Sequence, residues 1–246
     1  MYEACCAFGD LQSRFIFDTI AAMLPKVIFF MGLPGSGKGT QAEIVVDRYG
    51  FFHFDTGKEL ERKLHDPAEQ HDPFIQRERE NFDTGKLNTP EWVREVVKEK
   101  IREYAGQGKE LVFSGSPRTR AEAEALFPVF GEIFGKENLV VFLLEVKEET
   151  SLFRNSNRRV CEKCRIPVVW NSTTEKWFFC PRCGGALVRR TLDNPEVIKK
   201  RFQEFHERTE PAITYLEEQG AVIVRVPGED LPEVVAERVR IHLEGV

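Results

Sequence analysis

Two sets of residues in this sequence have types and spacings that could do chemistry. The first lies in VIFFMGLPGSGKGTQ, residues 27–41, where an apolar run gives way to glycines, one lysine and polar residues. A glycine-rich turn between a strand and a helix aims backbone N–H groups and the positive helix end at phosphate oxygens. Gly32 to Lys38 fit the phosphate-loop pattern G-x-x-x-x-G-K-[ST], with Lys38 as a point charge for terminal phosphates. The final Ser/Thr position is Gly39, and Thr40 follows one residue later. A purely structural turn could share this composition, but a strand before it and a helix after it favour a nucleotide site. The second set is Cys161, Cys164, Cys180 and Cys183, in the pattern C-x₂-C-x₁₅-C-x₂-C of a four-thiolate zinc site. Four protein ligands leave no open position, so such a metal is structural. Two disulfides or an iron–sulfur centre are the competing readings. Trp170, Trp177, Phe178 and Phe179 lie between the pairs and read as the small core of a hairpin in preference to a base-stacking platform.

The elements that must position these residues alternate along the chain. KVIFFM (26–31) is a continuous apolar run, as expected of a parallel strand buried on both faces. GTQAEIVVDRYG (39–50) has helical spacing and ends on Gly50. FFHF (51–54) reads as a short strand, with a helix expected from Lys58. In 89–108, Trp92, Val96, Val97 and Ile101 share a helical face, with Thr89 at the N-cap and Pro90 in the first turn. ELVFSG (110–115) and NLVVFLLEV (138–146) read as strands, and 120–134 as a helix at least as far as Pro128. Residues 194–220 form a long helix with a break expected near Pro211, before a last strand (221–226) and a last helix. This order implies an α/β fold with a parallel sheet and helices on both faces.

At 246 residues the chain can bury one sizeable core with small inserted subdomains. A net charge of -5 argues against a general nucleic-acid binder, so no nucleic-acid partner is expected. No apolar run reaches the roughly 18 residues of a membrane span, so no membrane partner is expected either. Residues 1–24 read as an N-terminal extension or a start-site artefact. They carry Glu3, Asp10 and Asp18 without a basic region, unlike a signal peptide. Cys5 and Cys6 are neighbours, where a disulfide would be strained. A reducing, cytoplasmic location is therefore expected.

From about Lys26 to the C-terminus the sequence resembles the adenylate kinases of the long-lid, zinc-containing type. GLPGSGKGTQ matches the family's phosphate loop. FDTGKEL (54–60) resembles its S-T-G-D-x-L-R, DTGKLNTPE (83–91) its second acceptor motif, and SGSPRT (114–119) its D-G-F-P-R-T. FRNSNRRVC (153–161) opens the lid and RRTLDNPEVIKKRFQEFHERTEPAI closes it. The resemblance implies a P-loop NTPase-type core (25–157 and 191–246), an acceptor-binding insertion at about 55–88 and a zinc-ribbon-like lid at 158–190. It implies a monomer that moves the terminal phosphate of ATP, bound with Mg2+, to a nucleoside monophosphate, with AMP the default. Gly35, Ser36, Gly37, Lys38, Gly39 and Thr40 would hold ATP, with Arg154 near its base and Arg158 on its phosphates. Arg118, Arg190 and Arg201 would converge on the phosphate in transit. Thr56, Lys86, Leu87, Asn88, Gly115 and Glu122, with those three arginines, would bind the acceptor.

The departures cluster on the acceptor and magnesium side. Ser114 stands where the family has the aspartate that helps hold water around magnesium. Glu61 replaces an acceptor arginine, Lys58 an aspartate, Glu122 the base-reading glutamine, and Leu192 one of two acidic neighbours, leaving Asp193. Glu61 would repel a monophosphate, and Glu122 lacks the amide donor. Four readings compete: a working kinase whose acceptor contacts pass to Lys58, Arg62 or Lys86; an ATP-dependent kinase for another acceptor; an ATP-binding protein that has lost transfer; and a nucleic-acid-binding zinc-ribbon protein with an ATP switch, which the acidic balance disfavours. The first is the reading adopted.

Overall fold

The computed structural model describes residues 24–83, 88–164, 166–171, 173–189 and 195–245. Among the candidate site residues, Lys86, Leu87 and Arg190 lie outside the described residues, as do Leu192, Asp193 and the segment before Leu24.

Strands β1 (Val27–Gly32), β2 (Phe52–Phe54), β3 (Leu111–Phe113), β4 (Leu139–Glu145) and β8 (Val222–Pro227) form one parallel sheet in the order β2-β3-β1-β4-β8. β1 is central, with Val27 level with both Leu111 and Leu139. All six of its residues are buried because helices cover both faces of the sheet. Val27, Phe29 and Met31 point into a core built with α4 (Pro90–Gly106), α5 (Arg120–Phe134) and α8 (Glu210–Glu218). Ile28 and Phe30 point the other way, toward α1 (Lys38–Tyr49) and α9 (Pro232–Glu244). Phe29 stacks on Phe113 at 5.1 Å and meets Phe130 edge-on at 5.0 Å, which ties the middle of the sheet to α5.

The remaining elements flank this core. α2 (Thr56–Leu64), α3 (Pro73–Asp83) and the first half of α4 share a small cluster of Leu60, Leu64, Ile75 and Val96. After α6 (Glu148–Asn157), strands β5 (Arg159–Cys161), β6 (Pro167–Val168) and β7 (Leu187–Arg189) pair antiparallel in a second sheet, and α7 (Pro195–Glu204) follows.

One local expectation shifts by two residues, and two others are met with added detail. α2 begins at Thr56, not Lys58, because the Asp55 carboxylate accepts from the N–H groups of Gly57 and Lys58. α5 continues through Pro128 to Phe134. A mid-helix proline costs about 3 kcal/mol, but Leu126, Phe127, Val129 and Phe130 are buried around it, each worth roughly 1.5–3 kcal/mol. The long C-terminal helix is broken before Pro211: Phe205–Thr209 is π-helical. A proline at position 211 has no N–H and its ring would strike the Glu207 carbonyl, so the chain widens one turn ahead of it.

Candidate active site

The loop between β1 and α1 is built on glycines whose backbone angles and close neighbours disfavour any side chain at Gly32 and Gly35. Gly32 has φ +136° and lies so close to β4 that a Cβ there would sit 2.5 Å from the Leu144 carbonyl oxygen. Gly35 has φ +85°, and its Cβ would sit 2.3 Å from the Asn155 amide nitrogen. The contact with Asn155 reflects a grip by α6 on the loop. Asn155 Nδ2 donates to the Pro34 carbonyl at 2.8 Å and to the Ser151 carbonyl at 2.8 Å, and Ser151 Oγ donates to Pro34 as well. Both side chains are fully buried, so the loop is fixed from outside its own segment.

Lys38 folds back over this loop. Its Nζ donates to the carbonyls of Gly32 and Leu33, each at 2.7 Å, and lies 3.4 Å from Ser36 Oγ. Its pKa is lowered from 10.5 to about 7, chiefly by burial and then by the positive charges of Arg118, Arg201 and Arg158. Those arginines come from three segments: the turn after β3, the C-cap of α6, and α7. Thus Lys38, Arg118, Arg158 and Arg201, far apart in sequence, form one cationic field around the loop. Such a field has one obvious counterpart, a polyphosphate.

The surrounding residues fall into place unevenly. Arg154 donates to the carbonyls of Gly228 at 2.8 Å and Glu229 at 2.7 Å, joining α6 to the turn after β8. Ser36 is buried beneath the loop, while Gly37, with φ +101°, sits at the N-cap of α1 ahead of Gly39 and Thr40. On the other side, Arg118 Nε donates to the Gly115 carbonyl at 2.5 Å, and Thr209 Oγ1 in the π-helical turn donates to the Arg118 carbonyl at 2.9 Å. Glu122 closes the turn before α5: it accepts from the Arg118 N–H at 2.8 Å and from Ser116 Oγ, while its own N–H donates to Thr119 Oγ1 at 3.1 Å. The Ser116–Pro117 bond within this turn is cis.

Thr56 opens α2, but Asn88 is turned inward. Its Nδ2 donates to the backbone and carboxylate of Glu78, which also accepts from the N–H and hydroxyl of Thr89. Thr89 therefore sits at the N-cap position of α4 with its hydroxyl spent on Glu78, so the side-chain cap expected there is not made. Arg62 is tied into the fold through Nη1. It pairs with the buried carboxylate of Glu59 at 2.6 Å and touches Tyr104 Oη at 3.0 Å.

Two site-edge residues escaped the sequence reading. His53 Nε2 lies 2.7 Å from Ser114 Oγ, and its Nδ1 lies 2.8 Å from Glu43 Oε1. A histidine among the phenylalanines of FFHF, and a glutamate one helical turn after Gly39, were the available signals. Arg182, from the second CxxC, lies close enough to Glu43 to help hold its carboxyl below the usual range.

The four cysteines meet at the root of the second sheet. Cys161 and Cys183 sulfurs are 3.4 Å apart, Cys164 and Cys180 sulfurs 3.7 Å, and all four lie within 4.8 Å of one another. A tetrahedral zinc with 2.3 Å bonds spaces its sulfurs by about 3.8 Å, so the donor set fits. All four are free thiols, and the separations are far from the 2.05 Å of a disulfide. The N–H of Cys164 leads in bringing the Cys161 thiol down to about 6. At Cys164 the Ile166 N–H pulls the same way, but burial and the neighbouring sulfurs outweigh it and push that thiol up to about 12, so in the metal-free cluster the negative charge settles on Cys161. The aromatic residues between the pairs do not form the expected hairpin core. Phe178 and Phe179 are 75% and 68% exposed, and the buried side chains there are Val160, Cys161, Val168, Thr174 and Cys180.

A parallel sheet in this order, a glycine loop running into α1 and a cationic ring around Lys38 define a P-loop phosphotransferase. Comparison with known proteins makes this specific. The family pattern described as adenylate kinase matches residues 30–221. An adenylate kinase of Caldicellulosiruptor saccharolyticus is 34% identical over 85% of this chain and 95% of its own length. Adenylate kinases of Kosmotoga olearia and Archaeoglobus fulgidus are 32% and 31% identical over 89% of this chain, covering 99% and 98% of their own lengths. The chain belongs to the adenylate kinase family, and it is a nucleoside monophosphate kinase. Among the described residues no helix is long and apolar enough to cross a membrane.

Proposed function

We propose that this chain transfers the terminal phosphate of ATP to AMP and releases two ADP. An oxygen of the AMP phosphate attacks the γ-phosphorus, and the bond from that phosphorus to the β,γ-bridging oxygen breaks, its electrons leaving with ADP. Such a transfer needs alignment, charge neutralisation and exclusion of water more than a covalent nucleophile. The observation that carries the reading is the convergence of Arg118, Arg158 and Arg201 on Lys38 from three separate segments.

In this reading Gly35 to Thr40 cradle the ATP phosphates, with Lys38 released from its carbonyl partners onto the terminal ones. The flat guanidinium of Arg154, already held at its edge by carbonyls, faces the base. Arg158 arrives with the lid, and Arg118, Arg190 and Arg201 hold the moving phosphate by paired hydrogen bonds. Thr56, Gly115, Lys86, Leu87, Asn88 and Glu122 belong to the acceptor side, with Lys58 three residues before Glu61 on α2. The lid spans 158–190 and the acceptor insertion about 55–88, around a core of 25–157 and 191–246. Structural Zn2+ in the cysteine site stiffens the lid, ATP enters with Mg2+, and the protein acts as a cytoplasmic monomer. The test is ADP formation from Mg·ATP with AMP, CMP, UMP or GMP. AMP should be the preferred acceptor, and Lys38→Ala should lower turnover by about 10²–10³-fold with its fold intact. Equal turnover in that variant would remove the loop from the mechanism.

A further inference from the structure

Ser114, His53 and Glu43 form a continuous hydrogen-bonded chain that no step of the transfer above uses. Ser114 Oγ lies 2.7 Å from His53 Nε2, and His53 Nδ1 lies 2.8 Å from Glu43 Oε1. The three come from the turn after β3, from β2 and from α1, so no local sequence feature links them. His53 is level with Val112 across the β2–β3 pair, and Ser114 lies two residues beyond Val112, on the same face of the sheet. α1 covers that face and brings Glu43 to the far side of the imidazole ring. Ser114 and His53 are both partly exposed, the His53 side chain by 18%, so the chain is not sealed in the core. A strut that only braced the sheet would need no such access.

The order of donors and acceptors is that of an activated serine. Glu43 is ionised: the hydrogen bond from His53 leads in holding its carboxyl below the usual range, and the charges of Lys58 and Arg182 act the same way. A carboxylate only accepts, so the neutral ring of His53 donates from Nδ1 and leaves the Nε2 lone pair for the Ser114 proton. A base held in this way takes that proton as Oγ attacks, and the ionised partner stabilises the imidazolium that forms. The same turn supplies a cation for charge developing on an electrophile. Gly115 follows Ser114 directly, and Arg118 Nη2 is 3.2 Å from where a Cβ on Gly115 would be. Arg118 is itself pinned, by Glu122 at its N–H and by Thr209 at its carbonyl. Nucleophile, base, orienting carboxylate and anion-stabilising donor therefore meet at the C-terminal end of β3. Phe113 and Ser116, on either side of the Ser114–Gly115 step, are buried, which favours a small electrophile.

We propose that Ser114 is a nucleophile toward carboxylic esters of small acyl groups, with His53 as its general base and Glu43 as the positioning residue. Oγ adds to the ester carbonyl carbon while its proton passes to Nε2, and Arg118 faces the developing oxyanion. The bond from that carbon to the alcohol oxygen then breaks, its electrons leave with the oxygen, and Nε2 gives the proton to it. Water attacks the acyl-serine in the same way and restores the Oγ hydroxyl, so ester and water become acid and alcohol. This activity is additional to phosphoryl transfer and does not rest on the phosphate loop binding ATP.

The test is p-nitrophenyl acetate hydrolysis together with labelling by a small alkyl fluorophosphonate, the labelled residue being found by peptide mass mapping. The native chain should carry a single label, on Ser114, and should release nitrophenolate over repeated turnovers. Ser114→Ala should abolish both, and His53→Gln should slow both by about 10²–10⁴-fold. Glu43→Gln should lower the limiting esterase rate with KM unchanged, a split that loss of structure would not give. Lys38, with its pKa lowered to about 7, is the competing nucleophile, and acyl groups recovered on Lys38 with Ser114 unlabelled would overturn the proposal. An unlabelled native chain, or hydrolysis that survives Ser114→Ala, would overturn it as well. No nucleotide enters either assay, so failure here is distinct from failure of the kinase reading.

Discussion

The lowered pKa of Lys38 makes ATP binding a proton-linked event of predictable size. In the free protein Nζ is held among carbonyls and faces three guanidinium charges, and its pKa is about 7. Phosphate oxygens placed against Nζ reverse both penalties, because an anion stabilises the ammonium form. At pH 8 the free lysine is about one-tenth protonated and the bound one nearly fully, so binding should draw in about 0.9 proton per ATP. At pH 6 the lysine is already charged and the uptake should fall to about 0.1 proton. The measurement is the ATP-binding enthalpy at pH 8 in buffers of different ionisation enthalpy, whose slope counts protons. ATP's own phosphate is fully ionised at that pH and adds nothing. Lys38→Arg keeps the charge without the titration, since guanidinium does not deprotonate in proteins, and should flatten the slope. A slope near zero for the native chain at pH 8, or an equal slope in Lys38→Arg, would refute the electrostatic picture of the site. The same shift fixes a stability trend with a definite sign. Between pH 7 and 10.5 the unfolded lysine binds a proton that the folded one has released, so its contribution to the free protein's stability rises with pH across that window.

Further outcomes can be checked on stability and metal content. Cys161→Ser should lower bound zinc and melting temperature together, and a metal-stripped native protein that melts unchanged would contradict a structural metal. Gly35→Ala forces a side chain into φ +85° and against Asn155, so it should cost about 1–3 kcal/mol in urea unfolding and weaken ATP binding as well. Glu78→Gln places an amide against the donors of Asn88 and Thr89, and about 2–3 kcal/mol should be lost in the same assay. Burial raises the Glu78 pKa, but the bonds from Thr89, Asn88 and Arg77 outweigh it and bring it to about 2. Its contribution is therefore complete above the ordinary 4.5 and is lost as pH falls toward 2, which unfolding at pH 3 and pH 6 would register.

What the sequence disclosed follows from how local each cause is. The strands of the parallel sheet are legible because burial on both faces demands runs such as VIFFMG and LVVFLL, whatever lies beside them. The phosphate loop is legible because its positive-φ turns at Gly32, Gly35 and Gly37 are a backbone demand set within the loop itself, although the side chains that press on it come from β4 and α6. The cysteine site is legible because two tight CxxC turns and one spacing suffice to build it. The π-helical turn at Phe205–Thr209 was foreseen only as a break near Pro211, since a proline announces that a helix must deform and not how.

The acceptor side was harder for the opposite reason: its charges are decided by partners remote in sequence. Arg62 reads as a spare cation next to Glu61, yet Glu59 and Tyr104 hold it, and Tyr104 comes from a helix 42 residues away. Asn88 reads as an acceptor ligand within DTGKLNTPE, yet Glu78 claims its amide from α3. Ser114 reads as the loss of a carboxylate, yet Glu43 sits two hydrogen bonds away through His53. In each case the residue type states what a side chain can offer, and the tertiary fold decides to whom it is offered. A charge substituted at a binding motif therefore has to be weighed with the partner that folding supplies.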